Sequence, residues 1–205
     1  MQQKRNKSET GRCETLAILL AWYPMGYPLR EEIPGAYYHV VTRGNNRQDV
    51  YTSEASRLIF YLWLQLLVKK YGWSIVAYCL MVNHYHLVLQ IGTGGLSRGM
   101  QSLNGGYARA YNAREGRQDH LWGRRFWSRE LGDVDDLIRT CVYVDANPTR
   151  SFGIAPADWQ WSSHRALVGL DAPTGFHKVG DVWRLLDPKP RTSMDGYAEL
   201  VAASL

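Results

Sequence analysis

Cysteine is scarce in this 205-residue chain, and its placement organises nothing. Cys13, Cys79 and Cys141 are odd in number and widely separated. No disulfide framework and no zinc signature follow, which suits a reducing, cytoplasmic compartment. Long apolar runs are missing as well. A membrane span needs about 18 apolar residues, whereas the stretch Leu58 to Val68 is short and flanked by Arg57 and Lys69. No membrane partner is expected. An export signal is only loosely imitated: Lys4, Arg5 and Lys7 precede the apolar run Leu16 to Tyr23, but Glu14 intrudes and no clear small-residue cleavage site follows. Internal repeats and low-complexity segments are also lacking. Acidic residues are sparse in one region: between Arg98 and Arg129 only Glu115 and Asp119 face seven arginines.

What is present begins with aromatics and arginine. The chain has 13 Tyr and 8 Trp, a formal charge of +5, and 18 arginines among its 24 basic residues. Arginine's planar fork suits phosphate. Tyr107, Tyr111, Trp122, Phe126 and Trp127 are interleaved with the arginine-rich stretch, a mixture that can stack bases and grip phosphates. A solvated basic surface over core aromatics has the same composition.

The pattern of elements points to one α+β domain. Residues 35–43 suggest a strand ending in the turn-prone Gly44-Asn45-Asn46. Thr52 or Ser53 can cap a helix to about Tyr71, with Leu58, Leu62, Leu66, Ile59 and Trp63 at helical spacing. Gly72 ends it. Residues 73–81 and 84–91 suggest paired strands about Asn83, and 96–112 a helix weakened by Gly105 and Gly106. A polar loop at 114–120 precedes an expected strand at 122–131. Asp133 caps a third helix that must stop near Asn147, because Pro148 disfavours helical geometry before it. The order suggests a ferredoxin-like (RRM-like) antiparallel sheet with helices packed on one face. Residues 1–24 differ in character from the rest and are expected to be a disordered extension, Met25 being a plausible start. The domain is expected over 25–165, and 166–205 form a tail with no structural expectation.

Chemistry concentrates in two places. His84-Tyr85-His86 on a strand puts both imidazoles on one sheet face, about 6.5–7 Å apart at the backbone. They can converge on one metal ion, or be a hydrogen-bonded structural pair. On the third helix, Arg139, Tyr143 and Asn147 lie at four-residue spacing, off the centre of the apolar stripe Val134, Leu137, Ile138, Cys141, Val142. They could supply a phosphate ligand, a nucleophile and a neutral metal ligand. Equally, Tyr143 can pack at the helix border while Asn147 caps its end. Tyr107 is a rival nucleophile in a core-like series, and His39 can approach the site or belong to the core.

Taken together, Pro28-Leu-Arg, Gly35-Ala-Tyr-Tyr-His39, Arg43-Gly-Asn-Asn-Arg47, Met81-Val-Asn-His-Tyr-His86, Leu121-Trp-Gly-Arg-Arg-Phe126, Tyr143-Val-Asp-Ala-Asn-Pro148 and Trp161-Ser-Ser163 resemble the single-tyrosine transposases with a histidine–hydrophobe–histidine (HUH) motif. Within these they resemble the REP-associated tyrosine transposases. Tyr85 departs mildly from the pattern by filling the hydrophobic position. The resemblance implies Tyr143 as nucleophile and His84, His86 and Asn147 as ligands of Mg²⁺ or Mn²⁺. It further implies cleavage and rejoining of single-stranded DNA near a hairpin through a 5′-phosphotyrosine, by a monomer or homodimer. Arg124, Arg125, Arg129, Arg139, Trp122 and Trp127 are expected to hold the DNA, on position and chemistry alone. Two other classes compete: a non-catalytic single-stranded nucleic-acid-binding module, and a hydrolase that uses water.

Overall fold

The computed structural model describes residues 31–93, 95–186 and 194–205. The expected extension at 1–24 therefore lies outside the described residues. Four strands, β1 (Tyr37–Arg43), β2 (Ser74–Leu80), β3 (His84–Gln90) and β4 (Trp127–Leu131), form one antiparallel sheet in the order β2-β3-β1-β4. Helices α1 (Glu54–Tyr71) and α2 (Leu96–Glu115) make the two crossovers, which gives the expected ferredoxin-like arrangement.

Local chemistry sets the boundaries. The Ser53 hydroxyl accepts from the Ser56 amide at 3.2 Å and Ser56 Oγ accepts from the Ser53 amide at 3.1 Å, a reciprocal cap that starts α1. Gly72 closes the helix in the left-handed conformation, at φ 65°. The buried face of α1 is not the leucine stripe named from spacing. Leu58, Leu62 and Leu66 are exposed, and Phe60, Leu64 and Leu67 enter the core. The helix is apolar nearly all round, so periodicity alone offered two stripes and packing selected one. Gly106, which costs α2 helix propensity, sits where an added Cβ would come within 2.7 Å of the Trp63 ring. The glycine lets α1 and α2 approach.

Strand parity then separates two cores. Tyr38, Val40, Leu80, Tyr85, Leu87 and Leu89 pack under α1 and α2, against Phe60, Leu64, Met100 and Tyr107. Val76, Cys79, Val88 and Leu131 point to the opposite face, where α3 (Val134–Asp145) supplies Leu137, Cys141 and Val144. One-sided packing thus holds for the crossover helices, while the third helix covers the other face. Asp133 caps α3, its side chain accepting from the Asp136 amide at 2.7 Å. The helix ends at Asp145, and α4 (Asn147–Phe152) begins with Pro148 in its first turn, where a missing N–H costs little. The expected strand at 122–131 is shorter, because Trp122 makes only an isolated bridge to Gly44.

The tail is structured where it is described. After α5 (His164–Leu167), α6 (Val179–Leu186) and α7 (Met194–Ala203) add Val182, Tyr197 and Val201 to the second core. Asp145, fully buried, accepts from the Ser163 hydroxyl at 2.8 Å and the Tyr197 hydroxyl at 2.9 Å. These bonds satisfy a carboxylate that burial would otherwise penalise, and they pin the end of α3. No helix among the described residues is long and apolar enough to cross a membrane.

Candidate active site

The α3 side of the sheet carries the histidines. Antiparallel pairing sets Val41 opposite His86 and Arg43 opposite His84 on one side of β1, and Val41 opposite Trp127 and His39 opposite Arg129 on the other. Parity does the rest: His39, His84 and His86 share a face and are all buried. The His84 and His86 ring centroids are 5.1 Å apart. His39 and His86 stack at 5.3 Å, with His39 Nε2 and His86 Nδ1 3.0 Å apart, one of them donating.

Burial and charge keep these rings neutral. Desolvation lowers His39 and His84 to about 4, with smaller contributions from Arg129 at His39 and Arg43 at His84. Burial pushes His86 lower still, helped by His39, His84 and Arg43. Neutral imidazole is the metal-binding form. The Asn83 side chain settles how His84 would present itself. Its Nδ2 donates to the Arg47 carbonyl at 3.0 Å, so its Oδ1 faces His84 Nδ1 at 2.7 Å and must accept. A neutral His84 then has its lone pair on Nε2, oriented by an outer hydrogen bond as metal-ligating histidines usually are. In chemical type and protonation the pair therefore suits a divalent ion. Among the described residues, no group of three or more His, Cys, Asp or Glu is disposed to hold a metal, so a third protein ligand would come from another residue type.

Tyr143 stands beside His86 and His39. Its ring centroid is 5.7 Å from that of His86 and 6.0 Å from that of His39, and the side chain is 40% exposed. The Arg150 guanidinium lies 5.1 Å over the ring and donates to the Ser204 carbonyl, which ties it to the last helix. A 620 Å³ pocket brings together His39, Arg43, His86, Trp127, Arg139 and Tyr143. His84 and Asn147 are outside its lining. Tyr107, the rival nucleophile, is fully buried under α1 and donates to the Val50 carbonyl. Burial pushes its phenol well up.

Asn147 is buried one turn beyond Tyr143. Its Nδ2 donates to the carbonyls of Tyr143 at 2.8 Å and Val144 at 3.3 Å, the helix-capping role weighed above. Its Oδ1 takes no hydrogen bond among the described residues.

The expected DNA-holding residues differ in availability. Trp127 is 51% exposed and sits edge-on to His39. Arg124 and Arg125 are exposed and line two further cavities. Arg139 lines the tyrosine pocket and makes no hydrogen bond or ion pair among the described residues. Arg129 is largely engaged, holding Asp136 at 2.7 and 3.0 Å and Thr140 at 3.2 Å. Trp122 is half-buried, donates to the Asn104 carbonyl at 2.9 Å and packs against Tyr85 and Tyr107, so only part of it is open to a ligand. Arg43, Asn83 and Arg150 had not been singled out. Only the strand register and the folded tail bring them here.

Comparison with known proteins bears on this geometry. A family model described as "Transposase IS200 like" matches residues 32–147, more than half of the chain. None of the curated proteins matches it. A solved structure of a REP-associated tyrosine transposase bound to a REP hairpin is similar in fold, with a TM-score of 0.59 and 18% identity over 76% of this chain and 93% of that one. Weaker likenesses are to a transposase from Deinococcus radiodurans (TM-score 0.38, 16% identity, 58% of this chain and 93% of that one) and to tRNA(His) guanylyltransferase from Saccharomyces cerevisiae (TM-score 0.43, 12%, 87% and 81%).

Proposed function

Because the chain belongs to the IS200-like transposases, we propose that it cuts and rejoins single-stranded DNA beside a hairpin, with Tyr143 as the nucleophile. The observation that carries this reading is the half-exposed Tyr143 phenol beside neutral, buried His86 in a pocket rimmed by arginine. His84 and His86, with Asn147 through its Oδ1, would hold Mg²⁺ or Mn²⁺, imidazole favouring Mn²⁺. Such an ion, when bound, supplies Lewis-acid stabilisation to the scissile phosphate.

The chain's own residues account for the remaining steps. Arg139 and Arg43 in the pocket draw in the phosphate, while Trp127 offers a stacking surface to an unpaired base. Tyr143 Oη attacks phosphorus. The phenol releases its proton to solvent as a bond forms from Oη to phosphorus and the bond to the 3′ oxygen breaks, and that oxygen takes a proton from solvent to leave as a hydroxyl. Arg150 over the ring and Arg139 in the same pocket bring positive charge to the side of Tyr143 where the phosphate would sit. The 5′-phosphotyrosine link conserves the phosphodiester, so rejoining needs no nucleotide. Hairpin DNA is favoured as substrate because a protein of similar fold is known bound to a REP hairpin.

A second reading has one observation in its favour. The Asn147 amide nitrogen serves the helix end, and with no group of three His, Cys, Asp or Glu ligands among the described residues the same groove suits a binder without chemistry. A gel-stable covalent adduct separates the two. With a hairpin-flanked single strand and Mn²⁺, wild type and Tyr107→Phe are expected to form it. Tyr143→Phe is expected to form none while still binding the DNA, and excess EDTA to suppress it. An adduct on Tyr143→Phe but not on Tyr107→Phe would sink the assignment.

A further inference from the structure

Beside the tyrosine pocket lies a second cavity of 570 Å³, which shares Val41, Arg43 and Trp127 with it. The loop Gly44 to Arg47 forms one wall. Asn46 and Arg47 have φ of 49° and 59°, a left-handed conformation that non-glycine residues visit at a cost, asparagine most readily. Gly44 has no room for a side chain, since an added Cβ would sit 2.3 Å from the Gln48 carbonyl oxygen. The loop backbone is held from outside: Gly44 N donates to Asn83 O at 2.8 Å, Asn45 N to Leu121 O at 2.9 Å, and Asn83 Nδ2 to Arg47 O at 3.0 Å. With the main chain so occupied, the side-chain carboxamides of Asn45 and Asn46 make no hydrogen bond among the described residues, and both line the cavity.

The lining specifies a ligand chemistry. Trp127 contributes a half-exposed indole, Asn45 and Asn46 contribute neutral donor–acceptor pairs, and Arg47 and Arg124 bring positive charge. The volume falls within the roughly 300–1,000 Å³ of small-ligand pockets. Indole, carboxamide and guanidinium together match an unpaired nucleotide, whose base stacks, whose edge is read and whose phosphate is held. A simple anion would leave the indole and both carboxamides unused. Purines fit best. They stack over the larger area, and adenine offers the N6 donor beside the N7 acceptor that a carboxamide pairs with in two bonds.

Resting on the function proposed above, we infer that this cavity takes one unpaired purine nucleotide adjoining the cleaved bond, and that Asn45 and Asn46 read its base. Asn83 keeps the reading loop in place relative to the active site, because the carboxamide that holds Arg47 O also holds His84 Nδ1.

The test uses fluorescein-labelled DNA heptamers of thymidine whose central position is adenine, guanine, cytosine, thymine or abasic. Anisotropy titrations are run with the full-length protein in EDTA, so that binding is read without chemistry. Wild type is expected to bind the purine heptamers about tenfold more tightly than the abasic one. Asn45→Ala and Asn46→Gly are each expected to flatten that preference. Glycine at 46 keeps the left-handed backbone, so the loss cannot be laid to a misfolded loop. Trp127→Ala should weaken the four complete heptamers and spare the abasic one. Equal binding of all five by wild type overturns the inference, as does a purine preference that survives both asparagine variants. A purine preference without any covalent adduct would sink the enzymatic reading and leave the cavity assigned. An adduct without the preference would do the reverse.

Discussion

On β3, Tyr85, Leu87 and Leu89 point to one side of the sheet, and His84, His86 and Val88 to the other. The first set disappears beneath α1 and α2 into an aromatic core, where Tyr85 donates to Asn104 Oδ1 at 2.6 Å and Tyr107 to a backbone carbonyl. Every polar atom of those two phenols is used up internally. The second set faces α3, whose covering is incomplete near Tyr143. There the polar atoms are only partly spent: His84 and His86 each engage one nitrogen, and Tyr143 lines the pocket, 40% exposed. Two tyrosines of identical chemistry therefore have different prospects. Saturated hydrogen bonding and close packing make one a structural strut, and incomplete coverage makes the other available to a substrate.

The contrast can be broken in graded ways. Phe60→Ala, on the crossover-helix side, should cost about 3–5 kcal/mol in denaturant unfolding. A cost under about 1 kcal/mol would mean that face is loosely packed. Acid should act through the other face. Burial lowers His39 and His84 in the folded chain to about 4, from about 6.5 for an ordinary imidazole. The unfolded chain thus takes up protons first, and their contribution to stability, whole above about pH 6.5, drains away as pH falls toward 4. Thermal melts in EDTA across that window should show wild type declining more steeply than His39→Gln; parallel curves would refute it. Tyr107→Phe deletes one buried donor and should cost about 1–3 kcal/mol with no change in adduct yield per folded molecule. The smallest effect is expected at the rim. Arg124→Ala should weaken binding to single strands of any sequence and reduce the salt dependence by about one charge, and an unchanged salt slope would remove Arg124 from the DNA path.

Much of this was legible in the residues. The spacing of His84 and His86 gave their common face, Ser53 and Asp133 marked helix starts, and Gly72 and Pro148 marked where helices end. The ordered motifs already resembled single-tyrosine transposases, in agreement with the match to the IS200-like family. Other features were not. Leu58, Leu62 and Leu66 formed as good a stripe as Phe60, Leu64 and Leu67, and only the approach of α2 through Gly106 chose between them. His39 could be placed on a strand, but its contact with His86 depends on the β1–β3 register. Arg129 looked like its basic neighbours until the fold set Asp136 against it. Arg150 meets Tyr143 only because α4 and the tail return to the end of α3.

By itself, then, the sequence determined which residues could do chemistry and which way each alternates along its own strand or helix, since period and capping are local properties of the chain. Tertiary structure decided which of those groups are covered, paired or left open. That choice depends on contacts between segments far apart in sequence, and a hydrogen bond or a buried ring is settled only when its distant partner arrives.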